Sequence, residues 1–244
     1  MSQTQPQSSL PTPTILLIGA SRGLGHAMAA EFLKKGWNVV GTVRAGSGHT
    51  LLHDLQLDYP DRVEIEILDI CKTDQLDALH QRLTGREFDI LFVNAGTTNP
   101  DPGQTIGEVS TEDFTDLMIT NALGPMRVIE TLKTRVTSTG TIGVMSSGQG
   151  SISNNETGLR ELYRGTKAAL NMFMRSFAAR EATTTNTSRA LVTMAPGWVR
   201  TDLGGPEGRL SIEESIPSLV NVLLEKHGKP GLEYLDYQGR TVPW

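Results

Sequence analysis

Residues 14–44, TILLIGASRGLGHAMAAEFLKKGWNVVGTVR, open as an apolar run, break at glycines, resume with helically spaced apolar residues and end in a second β-branched run. Gly19, Gly23 and Gly25 fall between the first strand and the first helix, where missing side chains let the backbone turn tightly and approach a ligand closely. The N-terminus of the following helix aims free N–H groups and the positive end of its dipole at the same place, which suits a pyrophosphate. The spacing is G-x-x-x-G-x-G, not the G-x-G-x-x-G of the better-known dinucleotide fingerprint. On its own it also fits a plain strand-to-helix connection.

The end of the second strand sharpens the reading. An acidic residue there binds adenosine ribose hydroxyls, and a basic one accommodates a 2′-phosphate. This strand ends GTVRAG, with Arg44 and no acid, and Arg22 in the glycine turn offers a second planar guanidinium to the same phosphate. NADP(H) is therefore expected over NAD(H); the other reading makes both arginines solvated surface side chains.

Outward from this stretch, β-branched or apolar runs recur at 14–20, 38–44, 63–69, 89–96, 140–147 and 189–197, separated by amphipathic stretches at 26–36, 73–83, 110–132 and 163–181. Several of the strands are apolar on both faces, as in a parallel sheet covered on two sides. The fold class expected is α/β: a single-domain, Rossmann-type, doubly wound parallel sheet with helices on both faces, over residues 14–244. The N-terminal residues 1–13, MSQTQPQSSLPTP, are expected to be a disordered tail. Ligands of such sheets bind beyond the carboxyl ends of the strands.

Composition narrows the partners. The net charge is −5 over 244 residues, with 22 Lys and Arg scattered along the chain, so no basic face for nucleic acid or an anionic membrane is expected. The single cysteine, Cys71, rules out an internal disulfide and a cysteine-rich metal site and fits the cytoplasm. The tail lacks a signal-peptide pattern, and no apolar run has the length of a bilayer span.

Tyr163 and Lys167, four apart, share one face of a helix. A phenol is a poor proton carrier at neutral pH, and a neighbouring ammonium lowers its pKa. Ser146 and Ser147 end the fifth strand, where a hydroxyl can meet a substrate carbonyl or simply form the turn.

At this point the chain resembles the short-chain dehydrogenases/reductases. GASRGLG, LDI, VNAG, TNALG, VMSS, YRGTK and PGWVRTD occur in that family's order from about Thr14 onward. The resemblance implies four catalytic residues. Tyr163 is the general acid for carbonyl reduction, Lys167 lowers its pKa and binds the nicotinamide ribose, Ser147 (with Ser146 as the fallback) orients the substrate oxygen, and Asn121 supports a water-linked proton path to the lysine. It implies cofactor contacts from Gly19, Ser21, Arg22, Gly23, Leu24, Gly25 and Arg44, from Asp69 and Ile70 near adenine, and from Asn94, Ala95 and Gly96. Tyr163, Lys167, Pro196, Gly197, Val199 and Thr201 complete the set, Thr201 at the carboxamide. Asp69 and Asn94 are equally readable as strand-end caps. No metal is implied.

Within the family the chain looks most like the carbonyl-reductase branch containing the sniffer and C-factor proteins. It departs from the pattern in having Ile18 at a position often held by threonine, and in the polar insert 148–162 between Ser147 and Tyr163. Segment 200–212 has the composition of a flap. The implied function is NADPH-dependent reduction of a small-molecule ketone or aldehyde, reversible to alcohol oxidation. The alternatives are a secondary-alcohol or 3-oxoacyl-type dehydrogenase and a non-catalytic NADP(H)-binding sensor. A homodimer or homotetramer is implied through helices 110–132 and 163–181, and their apolar positions, including Leu170, Phe173 and Phe177, fit that contact and an ordinary core face equally well.

Overall fold

In the first strand, Thr14–Ile18 (β1), consecutive side chains are buried on opposite faces: Ile15 and Leu17 enter one core, Leu16 and Ile18 the other. A strand apolar on both sides belongs in the middle of a covered sheet, and β1 lies there. The computed structural model describes residues 12–183 and 188–244. Of the tail expected at 1–13, residues 1–11 lie outside the described residues.

The remaining strands are β2 Asn38–Val43, β3 Val63–Ile67, β4 Phe88–Val93, β5 Val136–Met145, β6 Ala190–Ala195 and β7 Gly231–Asp236. They form one parallel sheet in the order β3-β2-β1-β4-β5-β6-β7. The order reverses between β1 and β4, and a crevice opens there beyond the carboxyl ends of the strands. Helices α1 (Gly23–Lys34) and α7 (Ile212–Lys226) cover one face, packing Phe32, Leu219 and Leu223 against Ile15 and Leu17. Helices α3 (Thr73–Arg82), α5 (Gly124–Leu132) and α6 (Glu161–Glu181) cover the other, with Leu79, Ile129, Leu170 and Phe177 against Leu16 and Ile18. Helix α2 (Leu51–Asp58) lies beside β3, and α4 (Thr111–Met118) precedes α5.

The doubly wound parallel sheet expected from the sequence is the one observed. Three details refine that expectation. A seventh strand, β7, and the helices α2 and α7 add to the expected elements. The stretch 110–132 is not one continuous helix: a π-helical turn, Ile119–Leu123, separates α4 from α5. Leu170 and Phe177 are fully buried against the sheet and unavailable to a partner, while Phe173 remains exposed.

Candidate active site

The cleft beyond the strand ends has a volume of about 1060 Å³, at the upper limit of small-molecule sites. Its floor at one end is the glycine turn. Helix α1 begins there with no acidic residue in its first turn and no side-chain cap on its N-terminal N–H groups, so these donors are left for an anion. Gly23 has φ +55° and nothing within 4 Å of the place a Cβ would take; its open side faces the space a ligand would fill. Gly25 does not line the cleft. A Cβ on it would fall 2.0 Å from the Gly19 carbonyl oxygen and 2.6 Å from Asn94 Nδ2, so its role is to let α1 pack on the turn. Asn94 Nδ2 donates to the Gly19 carbonyl at 2.8 Å, and Gly19 N donates to Thr42 Oγ1 at 2.9 Å. These bonds tie the turn to β2 and β4.

Gly19, Ser21, Leu24, Ile70, Ala95, Gly96, Pro196, Gly197, Val199 and Thr201 all line the cleft, as do Arg22 and Arg44 at the end of β2. Arg22 is largely exposed and meets Asp202, across the turn from 200–212, at 3.5 Å. Asp69 lines the cleft too, but its Oδ1 accepts from Cys71 N at 3.0 Å, so it caps its strand end whatever else it binds. Thr201 Oγ1 accepts from Gly204 N at 3.0 Å.

At the other end lies the chemistry. Helix α6 carries Tyr163 and Lys167 on one buried face, as their spacing requires. The Ser147 hydroxyl lies beside the Tyr163 phenol and favours its ionised form, while its oxygen accepts from Gln149 N at 3.1 Å. Ser146 faces away from the phenol: its hydroxyl donates to Asn171 Oδ1 at 2.6 Å, within the core. Lys167 Nζ lies 5.7 Å from the centre of the Tyr163 ring and donates to the Met145 carbonyl at 3.0 Å. Asn121 is fully buried behind the lysine and does not reach the cleft. Its amide spans Thr97 and Thr166: Thr97 N donates to Oδ1, and Nδ2 donates to the Thr97 carbonyl and to Thr166 Oγ1. The π-helical turn is what presents this side chain to the loop after β4.

The protonation balance differs from the sequence expectation. Burial pushes the Tyr163 phenol up, against smaller downward contributions from the Ser147 hydroxyl and the Arg160 guanidinium. Burial also pushes Lys167 itself down to about 8, and its ammonium donates to the Met145 carbonyl.

Three residues of this region escaped the sequence reading. Arg160 sits over the Tyr163 ring at 5.1 Å. Asn171 holds Ser146 and donates to the Gly150 carbonyl at 3.2 Å. The hydroxyl of Tyr234, in β7, donates to the Ser147 carbonyl. Asn171 is two helical turns from Tyr163 on the buried face of α6 and was legible from that spacing; the other two carry no sequence signal.

The model of the short chain dehydrogenase family matches residues 13–209. The chain belongs to the short-chain dehydrogenase family. A crystal structure of a protein described as a short-chain dehydrogenase/reductase from Burkholderia multivorans, with bound NADP, is 71% identical with a TM-score of 0.94, covering 96% of this chain and 100% of that one. A carbonyl reductase from Pseudomonas aeruginosa in complex with NADP is 32% identical with a TM-score of 0.86, over 96% and 100% of the two chains. C-signal of Myxococcus xanthus is 33% identical over 160 residues, 64% of this chain and 92% of that protein. These likenesses agree with the carbonyl-reductase and C-factor branch to which the motifs pointed. Among the described residues, no group of three or more His, Cys, Asp or Glu side chains is gathered as metal ligands would be, and no helix is long and apolar enough to cross a membrane.

Proposed function

We propose that this short-chain dehydrogenase is an NADPH-dependent carbonyl reductase that acts on a ketone or aldehyde, with Tyr163 as the general acid. The observation that carries the reading is a buried Tyr163 phenol with the Ser147 hydroxyl beside it and the Lys167 ammonium behind it, at the foot of the cleft. The two NADP-bound structural relatives support the cofactor.

The donors fit the group. The uncapped N-terminus of α1 and the open side of Gly23 take the pyrophosphate. Arg22 and Arg44 take the 2′-phosphate, Asp69 and Ile70 border adenine, and Pro196, Gly197, Val199 and Thr201 border the nicotinamide. When bound, the nicotinamide supplies the hydride. Ser147 donates to the substrate carbonyl oxygen and holds it beside Tyr163. Tyr163 passes its Oη proton to that oxygen as negative charge grows there. A phenol pushed up by burial stays protonated through the neutral range, so the acid is always loaded; the cationic Lys167 and Arg160 then stabilise the phenolate left behind. Asn121 fixes the loop that carries Thr97 and links it to α6.

The same reading makes the protein a cytoplasmic homodimer or homotetramer. The exposed Phe114 on α4 and Phe173 on α6 support it.

The test follows NADPH and NADH consumption over aromatic ketones, diketones, quinones and aldehydes, with the native protein and Tyr163→Phe in parallel and light scattering to give the subunit number. NADPH turnover lost in Tyr163→Phe while NADPH still binds supports the reading. Turnover of secondary alcohols with NADP⁺ and of no carbonyl makes the protein a dehydrogenase in the other direction. Binding without turnover on every substrate makes it a sensor.

A further inference from the structure

Four arginines border the cleft, and they are not equivalent. Arg22 meets Asp202 and Arg240 meets Asp236, while Arg44 lies at the adenosine end. Arg160 alone stands at the chemical end. Among the described residues, no carboxylate lies within 4.0 Å of it: Glu161, its neighbour, turns to Ile106 N. The half-buried guanidinium has one long contact, Nη2 to Thr98 Oγ1 at 3.5 Å, and lies over the Tyr163 ring. Its Nε is buried and has no hydrogen-bond partner. Gln149 Oε1, on the same cleft wall, is buried and unpartnered as well. Buried polar atoms are rarely left unpaired in a folded protein, and both belong to side chains that line the cleft.

The backbone reinforces the point. Leu159 and Arg160 have φ of +59° and +54°, two consecutive non-glycine residues in the left-handed region. Such strain persists only where the surrounding structure holds it, and it gathers at functional sites. Here its effect is to start α6 abruptly and lay the guanidinium across the face of the residue that would donate the proton.

We propose that Arg160 is the recognition site for a carboxylate on the substrate, so that the preferred substrates are carbonyl compounds with an anionic group next to, or within an atom or two of, the C=O, such as 2-oxo acids. The proposal rests on the reductase reading of the site and deepens it. A substrate oxygen held by Ser147 and Tyr163 brings its neighbouring carboxylate toward the edge of the guanidinium, whose planar fork of N–H donors matches it. Gln149 Oε1 accepts from a hydroxyl or amide further along the substrate.

The experiment measures kcat/KM with NADPH for benzoylformate and for its methyl ester in the native protein, Arg160→Met and Arg160→Lys. All three side chains are unbranched at Cβ and carry the same backbone strain. The native protein is expected to prefer the carboxylate by about 10-fold or more, as a charge-assisted pair implies. Arg160→Met is expected to reduce that ratio by at least about 10-fold, with Arg160→Lys in between. A ratio unchanged in Arg160→Met overturns the proposal. So does an equal loss on acid and ester, which leaves Arg160 only its part in stabilising the Tyr163 phenolate. If the native protein binds NADPH but reduces neither compound, the carbonyl panel above decides the reductase reading, and calorimetry of the NADP⁺ complex with the non-reducible N-phenyloxamate decides the anion site alone. Binding at least about 10-fold weaker in Arg160→Met supports it; equal binding, or none to the native protein, overturns it.

Discussion

Replacing Gly23 and Gly25 separately by alanine should divide one motif into a binding part and a folding part. At Gly25 the new Cβ would stand 2.0 Å from the Gly19 carbonyl oxygen and 2.6 Å from Asn94 Nδ2, so backbone must move and the Asn94-to-Gly19 hydrogen bond goes with it. Overpacking costs about 1–3 kcal/mol and the hydrogen bond about 1. A total of about 3 kcal/mol lowers Tm by roughly 6–12 °C in a chain of this size. At Gly23 there is no clash, only a left-handed φ of +55°. That costs about 1–2 kcal/mol, partly offset by about 0.4–1 from the stiffer unfolded chain. The net is about 1 kcal/mol, or roughly 2–4 °C. Its methyl group, however, enters the space of the pyrophosphate and lifts it from the α1 N–H groups. Loss of charge-assisted hydrogen bonds worth about 1.5–3 kcal/mol weakens NADPH by about 10- to 100-fold. Thermal unfolding by circular dichroism and fluorescence titration of NADPH read both effects. Native NADPH affinity in Gly23→Ala would refute the phosphate placement, and an unchanged Tm in Gly25→Ala would refute the packing argument.

Two further predictions concern the chemical end. Lys167, pushed down to about 8 by burial, is an ammonium below that pH and neutral above it, so kcat/KM for NADPH, which reports groups of the free enzyme, should fall above about pH 8. Because the folded pKa lies below the unfolded value, the charged lysine costs stability that is fully present below pH 8 and is relieved as pH rises toward about 10.4. Lys167→Arg should remove the kinetic limb, and a limb that survives in that variant belongs to another group. Tyr234→Phe removes the hydroxyl that holds the Ser147 carbonyl. It should lower kcat by roughly 10-fold through misplacement of the serine while NADPH affinity, set at the far end of the cleft, changes by less than about 2-fold; equal losses in both would show a general loss of structure.

What the sequence disclosed follows from which forces are local. The β1-turn-α1 unit was legible because an unbroken apolar run, glycines and an amphipathic period are properties of neighbouring residues. β7 was not, because an edge strand with Glu233 in its middle carries no such run. Helix α7 could have been found: Ser211 and Glu214 form a reciprocal cap at its start, but Pro217 interrupts its pattern. The π-helical turn at Asn121 has no sequence signature at all. In the site, Tyr163, Lys167 and Ser147 came from motif and helical spacing, whereas Arg160 lies in a loop whose backbone only the packing of α6 explains. The direction of the Tyr163 shift was missed for the same reason: burial is a property of the fold, and it outweighs the neighbouring charges.

The tie between Tyr234 and Ser147 joins residues 87 positions apart, and it comes from the last of the seven strands. The catalytic turn is thus held by an element that pairs with the sheet on one side alone, so secondary structure and the catalytic geometry need not mature together. During refolding from denaturant, turnover should return only once the edge strand has closed on β6 and brought Tyr234 to the serine turn. A chain that has not completed its sheet therefore also lacks the hydroxyl that steadies its serine turn.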